Sequence, residues 1–280
     1  MVASVQKRTD GPGQARLEVS LVYKESTVIS AFATSPMKVL VPRSRGQSVW
    51  AYTSSFGGGL VAGDQTRLEL ILGDETRCFM GTQASTKIYR NPHSRPCGHV
   101  TEAHLGAGAL LVFAPDPIQA FEESIYHQSQ IFHLASNSGL VLVDWFSAGR
   151  AAHGERWAFA LLSTRNEVFI AGERVFLDSL RLDPADGAFD CPSRGGRINC
   201  MALLAMLGRP LKDLAARAAD DVGGKPVGRR AATICSASPH EYGAVLRFAG
   251  ESTEAVAGEL RRHLSPLTQM LGDDPWQRKW

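Results

Sequence analysis

The feature that most constrains the fold is a series of short apolar runs separated by turn residues. In residues 66–72, Leu68, Leu70 and Leu72 alternate with Arg67 and Glu69, as in a half-buried strand. Turn signals recur about every 8 to 15 residues without an intervening helical pattern, which predicts a mainly β fold with antiparallel strands. Further strands are predicted within 109–113, 124–135, 140–146, 157–162 and 167–172.

One of these runs combines apolar and polar residues on the same face. In residues 124–135, strand alternation places Tyr126, Gln128, Gln130 and Phe132 together. We interpret this face as a partly polar surface of the β domain.

The C-terminal third has a different pattern. Apolar residues at helical spacing and a serine suited to an N-cap predict a small helical portion. The predicted elements are helices at 197–207, 211–219 and 252–264, a loop at 223–230 and a strand at 244–250. Because a strand follows the first two helices, we interpret residues 196–230 as a helical insertion into a single domain, 1–280. Residues 1–14 are predicted to be flexible.

Charge and composition exclude several classes of protein. A formal net charge of +2 does not favour nucleic acid or an anionic membrane as a partner. The chain contains neither an apolar run of roughly 18 residues nor a secretory leader, so we expect a cytoplasmic protein. The five cysteines lack metal-ligand spacing and are predicted to be reduced thiols.

The segment "SSFGGGLVAGDQ" (54–65) resembles a phosphate-binding loop only superficially. A P-loop needs Lys and Ser or Thr directly after its glycines, and a dinucleotide fingerprint needs the GxGxxG spacing. Neither is present here. The glycines therefore predict a tight turn between strands that passes close to another strand, which leaves the carboxylate of Asp64 unexplained.

Other polar residues occur in positions that suit either structure or chemistry. Ser85 and Lys87 are two residues apart, at roughly 7 Å on a strand, too far for direct proton transfer. Asp116 is held between two prolines, where an Asx-type bond or a binding role would fit. Asp144 interrupts an apolar strand, and Arg150 is its expected ion-pair partner. The eight histidines are scattered, so no permanent metal site is predicted.

Taken in order, these motifs resemble the urease accessory protein UreD, also called UreH. The resemblance rests on "GGGLVAGDQTRLEL", "TQASTKIYR", "PDPIQAF", "LVLVDWFSAGRAAHGERW" and the terminal "LGDDPWQRKW", and covers the chain from about residue 15. It implies a β-helix-like stack of strands and a metallochaperone scaffold without catalytic activity. Such a scaffold binds apo-urease and UreF, which recruits the GTPase UreG. GTP is expected on that partner, and this chain is expected to hold no permanent cofactor.

The resemblance also implies that nickel passes through an internal, water-filled tunnel. Weakly binding oxygen ligands suit a divalent cation in transit. Candidate tunnel or interface residues are the carboxylates Asp64, Asp116, Asp144 and Glu155, with Ser85 and Lys87 as polar neighbours.

For the helical insertion, we expect exposed apolar residues such as Leu211 and Leu214 to contact UreF. Three alternatives remain open. The first is a generic β-rich binding module, and the second is a hydrolase using Ser85 and Lys87 or a pair such as Asp144 and Glu155. The third is a metal-storage protein, which the ligand spacing disfavours.

Overall fold

The structure, a computed structural model, describes residues 13–43 and 46–278. The predicted flexible segment 1–14 lies outside the described residues except for its last two positions, and Gln14 already begins the first strand. The strands are β1 (Gln14–Val22), β2 (Glu25–Ala33), β3 (Met37–Leu40), β4 (Val49–Ser55), β5 (Gly59–Leu60), β6 (Gln65–Leu72), β7 (Arg77–Thr82), β8 (Thr86–Ile88), β9 (Cys97–Leu105), β10 (Leu110–Phe113), β11 (Ile118–Ala120), β12 (Ile125–Leu134), β13 (Gly139–Ser147), β14 (Leu161–Ile170), β15 (Glu173–Leu182), β16 (Cys200–Leu207), β17 (Thr233–His240) and β18 (Gly243–Gly250). The α-helices are α1 (Lys212–Gly223), α2 (Thr253–Leu264) and α3 (Leu267–Leu271).

The strands form two sheets that face each other. One has the order β15-β14-β12-β9-β6-β1-β2, and the other follows the path β17-β18-β16-β13-β10-β7-β4-β3. The chain passes from one sheet to the other at successive strands and returns one position further along, so the strands stack as coils of a β-solenoid. The predicted mainly β, β-helix-like architecture is confirmed.

Pairing within the central part of each sheet is parallel. In the seven-stranded sheet, β6, β9, β12 and β14 pair in parallel, and β4, β7, β10 and β13 do so in the other. The antiparallel expectation was wrong for these strands because their short turns connect the two sheets rather than neighbours in one sheet. Antiparallel pairing occurs towards the ends of the sheets, for example between β1 and β2 and between β13 and β16.

The parallel register places equivalent residues of successive coils side by side. Leu70 pairs with Ala103, and Ala103 with Phe132. These side chains belong to a core built from the inner faces of both sheets. Alternate residues of β6, β9 and β12 point inward, so any polar residue at such a position lies in the interior of the solenoid.

The helices pack on the outer face of the second sheet. Leu214 and Val222 of α1 share a buried cluster with Leu246 of β18 and Val256 of α2. Helix α2 begins after Ser252, whose Oγ accepts a hydrogen bond from the backbone N–H of Ala255 at 3.1 Å. This confirms the predicted N-cap.

Two predictions for the C-terminal third were wrong. Residues 200–207 form strand β16 instead of a helix, because β16 is covered on both faces and its continuous apolar run carries no alternation. The predicted exposed residues Leu211, directly before α1, and Leu214, within α1, belong to the buried cluster between the helices and the second sheet, with 0% and 9% of their surfaces exposed. The strand predicted at 157–162 starts only at Leu161.

Candidate functional site

The glycine-rich turn at 57–59 borders the interior of the solenoid. Gly57 and Gly58 have φ values of +79° and +71°, which L-residues rarely adopt. Gly59 pairs with Lys87, and a Cβ at position 59 would lie 2.2 Å from the Lys87 carbonyl oxygen. The predicted tight turn and close approach to a neighbouring strand are therefore confirmed.

Asp64 completes the next turn of the chain. Its carboxylate accepts a hydrogen bond from the backbone N–H of Val61 at 2.9 Å, and the side chain is in an exposed region. The residue stabilises its own turn and does not line the interior cavity described next.

A cavity of about 350 Å³ lies between the two sheets beside the glycine turn. Its apolar walls include Leu68 of β6 and Phe113 of β10. Hydroxyl, amide, imidazole and carboxylate groups line the remainder: Thr53, Ser54, Ser55, Thr66, Thr82, Gln83, Ser85, Thr86, His99, Asp116, Tyr126, Gln128, Gln130 and Asp144. These polar groups offer hydrogen bonds to water or to a small polar solute within the cavity.

Asp144 of β13 lies at the centre of a buried hydrogen-bond network. Its Oδ1 accepts from Nε2 of Gln128 at 2.8 Å, and its Oδ2 accepts from Nδ2 of Asn166 at 2.7 Å. The Tyr126 hydroxyl donates to Oε1 of Gln128 at 3.1 Å and so fixes the orientation of that amide. The expected Asp144–Arg150 pair was wrong, because neutral amides from β12 and β14 satisfy this carboxylate.

The network has opposing effects on ionisation. Burial raises the pKa of Asp144, while the hydrogen bonds donated by Asn166 and Gln128 act in the opposite direction. Burial, reinforced by the nearby Asp144 carboxylate, raises the pKa of Tyr126 well above its ordinary value. Tyr126 therefore remains a protonated donor at neutral pH.

Two oxygen atoms near Asp144 have unused acceptor capacity. Within residues 13–43 and 46–278, Oε1 of Gln130 and Oδ1 of Asn166 are buried without a hydrogen-bond partner. Gln130 lines the cavity, so its oxygen is available to a water molecule or a cation.

A second cavity, of about 210 Å³, lies on the other side of Asp144. It is bordered by Thr164, Asp178 and Arg247, and the last two residues form an ion pair at 2.8 Å. Asp144 lines both cavities. The geometry thus places one buried carboxylate between two spaces on the route from β4 towards β17.

His99 contributes an imidazole to the first cavity. Its Nδ1 is 2.8 Å from Oγ1 of Thr66, and its Nε2 is 3.1 Å from Oγ1 of Thr101. Burial lowers the pKa of His99 to about 4, so the ring is neutral at pH 7. A neutral imidazole is the form that binds a metal ion.

This lowered pKa predicts a pH-dependent contribution to stability. In the unfolded chain His99 takes up a proton near its ordinary pKa of 6.5, whereas in the folded protein it does so only near 4. The stability contributed by the neutral ring is therefore complete above pH 6.5 and is lost as the pH falls towards 4. We expect the free energy of unfolding of wild type, measured against that of His99→Gln by urea denaturation, to fall between pH 7 and pH 5. A difference independent of pH would contradict the assignment.

The remaining predicted site residues are divided between the cavity and the surface. Ser85 and Asp116 line the first cavity, where the backbone N–H of Asp116 donates to Oγ1 of Thr82 at 2.8 Å. Lys87 is exposed and does not line it. Glu155 forms an ion pair with Arg150 and does not line it either. Neither pair suggested for a hydrolase is thus brought together in the cavity.

Sequence reasoning did not single out His99, Gln128, Gln130 or Asn166 as site residues. The alternation in 124–135 had placed Tyr126, Gln128 and Gln130 on one face, but we interpreted that face as a surface. The parallel stack turns it inward. The alternation therefore grouped these residues correctly, but their face points into the solenoid and not towards solvent.

The fold and the site define a class of protein: a β-solenoid with an internal polar cavity centred on a buried carboxylate. Comparison with known sequences identifies the family. Residues 11–280 match the family described as UreD urease accessory protein.

Individual relatives agree over nearly the whole chain. Urease accessory protein UreD of Sorangium cellulosum is 44% identical over 278 residues, covering 98% of this chain and 86% of the relative. UreD of Anaeromyxobacter sp. is 36% identical, with 95% and 89% covered, and urease accessory protein D of Oryza sativa subsp. indica is 34% identical, with 93% and 94% covered.

The chain therefore belongs to the UreD urease accessory protein family, and this membership supports a role in urease maturation. Within the described residues, no helix is long and apolar enough to cross a membrane.

Proposed function

We propose that this chain is a non-catalytic scaffold for urease maturation that binds apo-urease and the UreF and UreG accessory proteins and helps deliver nickel to the urease active site. The observation that carries the nickel part of the proposal is that the buried carboxylate of Asp144 lines both cavities. GTP would bind the UreG partner.

The chemistry around Asp144 supports a cation in transit. Its carboxylate already accepts two amide hydrogen bonds, which delocalise its charge and weaken its hold on a cation. Gln130 and Asp116 offer further oxygens, and His99 offers a neutral nitrogen only when the hydroxyl of Thr66 or Thr101 releases it. A permanent site encloses its ion in a complete set of ligands. Here the ligands are few and of mixed type, and some already take part in hydrogen bonds, so a bound cation is released rather than stored.

The proposal requires an ionised Asp144 and a neutral His99. Acidification opposes both conditions, because burial raises the pKa of Asp144 and His99 takes up a proton as the pH approaches 4. We therefore expect nickel transfer to weaken on acidification through loss of the Asp144 charge.

The test is co-expression of urease and the other accessory proteins with and without this chain. Nickel-loaded, active urease only in its presence is the expected result, measured by urea hydrolysis and by the nickel content of purified urease. Co-purification with tagged UreF and with apo-urease checks the scaffold contacts separately. Equal activation in its absence would overturn the maturation role, and activation without stable contacts would overturn the scaffold part alone.

A further inference from the structure

A cluster of metal-binding side chains lies on the outer face of the seven-stranded sheet, away from both cavities. Glu102 and His104 of β9 and His133 of β12 bring one donor atom each to within 4.8 Å of one another. Successive residues of a strand point to opposite faces, so Glu102 and His104 point outward while His99 and Thr101 point towards the interior.

The parallel register creates this cluster. His104 and His133 occupy paired positions on neighbouring strands, and their rings stack with centroids 4.8 Å apart and planes 9° from parallel. Phe169 of β14, the next residue of the same ladder, stacks on the other face of His133 at 5.1 Å. The two imidazoles are therefore held side by side by the solenoid itself.

Glu102 completes the cluster. Its Oε1 is 3.3 Å from Nε2 of His104, while its Oε2 accepts a hydrogen bond from Arg67 of β6. The guanidinium thus orients the carboxylate and leaves its other oxygen beside the His104 imidazole. A charged partner behind a ligand is a common way of fixing a metal-binding carboxylate.

Donor atoms around a zinc-sized ion lie roughly 3 to 3.5 Å apart, because each bond is about 2.1 Å long. Because the rings of His104 and His133 are stacked, the half-exposed His104 side chain must rotate out of the stack for both nitrogen lone pairs to converge on one ion.

We propose that Glu102, His104 and His133 form a surface site for a divalent late first-row cation such as Ni²⁺, Cu²⁺ or Zn²⁺. Two imidazole nitrogens and one carboxylate oxygen suit these ions better than Mg²⁺ or Ca²⁺, which prefer oxygen ligands throughout. Three protein ligands leave at least one coordination position open to solvent. The site is independent of the proposed passage past Asp144.

The experiment is titration of the full-length protein with CoCl₂, followed by its visible absorption, and with NiCl₂, followed by isothermal titration calorimetry. The site variants are His104→Gln, His133→Gln and Glu102→Gln. His127→Gln is the matched control, since His127 is an exposed histidine on the same face of β12, six residues from His133.

Wild type and His127→Gln are expected to show the same cobalt d–d bands. Each histidine variant is expected to lose them and to bind the surface ion about 10- to 100-fold more weakly. Glu102→Gln is expected to shift the bands and weaken binding less. Thermal unfolding of each variant verifies that the sheet is intact. We expect it to be intact because these side chains are partly exposed. Cobalt spectra and nickel stoichiometry unchanged by His104→Gln and His133→Gln, or a wild type without cobalt bands, would overturn the proposal.

Discussion

Asp144→Asn is expected to lower the nickel content and activity of co-expressed urease about tenfold, by analogy with the loss of one metal-site partner. The substitution keeps the size of the side chain and removes the charge of the one carboxylate that lines both cavities. A cation passing this point would lose its main electrostatic stabilisation in a region of low dielectric.

The same substitution also has a structural effect that must be measured separately. Gln128 and Asn166 each donate an N–H to Asp144. An asparagine at this position has one oxygen and one NH₂ group, so its NH₂ group would point at one of these two donors and could not accept its hydrogen bond. We expect a destabilisation of about 1 to 3 kcal/mol, seen as a lower midpoint of urea denaturation.

The control for this prediction is Asp64→Asn. Asp64 is a carboxylate that stabilises an exposed turn and does not line either cavity. We expect this variant to retain urease activation, whereas the family resemblance includes Asp64 among the tunnel or interface candidates. Full activation by a folded Asp144→Asn protein would contradict the proposed passage, and loss of activation in Asp64→Asn alone would move the function to the surface turn.

Gly59→Ala is expected to destabilise the protein by roughly 3 kcal/mol, within the upper range for single substitutions. A Cβ at this position would lie 2.2 Å from the Lys87 carbonyl oxygen and 2.9 Å from its carbon, and backbone atoms cannot move aside as a flexible side chain can. Strand β5 must then separate from β8, which disrupts the packing of Leu60 on Ile88 in their shared core cluster.

Gly57→Ala provides the comparison. Nothing lies within 4 Å of a Cβ built at position 57, so its cost arises only from the positive φ of +79° and is about 1 to 2 kcal/mol. Urea denaturation followed by circular dichroism measures both variants. Equal destabilisation by the two substitutions would show that strain in the turn, rather than close approach to β8, is the dominant effect.

Local sequence patterns predicted much of the secondary structure. Alternation identified β6, an apolar run identified β13, and Ser252 marked the start of α2. The glycines of the 54–65 segment indicated both a tight turn and a close approach, because the absence of a Cβ is a property of the residue itself. The resemblance to UreD supplied the solenoid architecture, which the strand patterns alone had not.

Patterns failed where a residue's neighbours are distant in the chain. The turn after β6 looks the same whether the next strand joins the same sheet or the opposite one, so the parallel pairing was missed. Strand β16 resembled a helix because both of its faces are covered, which removes the alternation that identifies a half-buried strand. Burial by another layer is a tertiary property and leaves no local period.

The chain's own sequence therefore determined where the strands and turns lie and that Asp144 must have a polar partner. Only the tertiary structure decided that this partner is a pair of amides from β12 and β14, rather than Arg150 six residues away. It likewise decided that His104 and His133 meet on the outer face. The physical reason is the solenoid repeat. It brings residues roughly 30 positions apart into register within a sheet, and it places Asp144 opposite residues 16 and 22 positions away on the other sheet. Both arrangements depend on the pairing of whole strands rather than on any one residue.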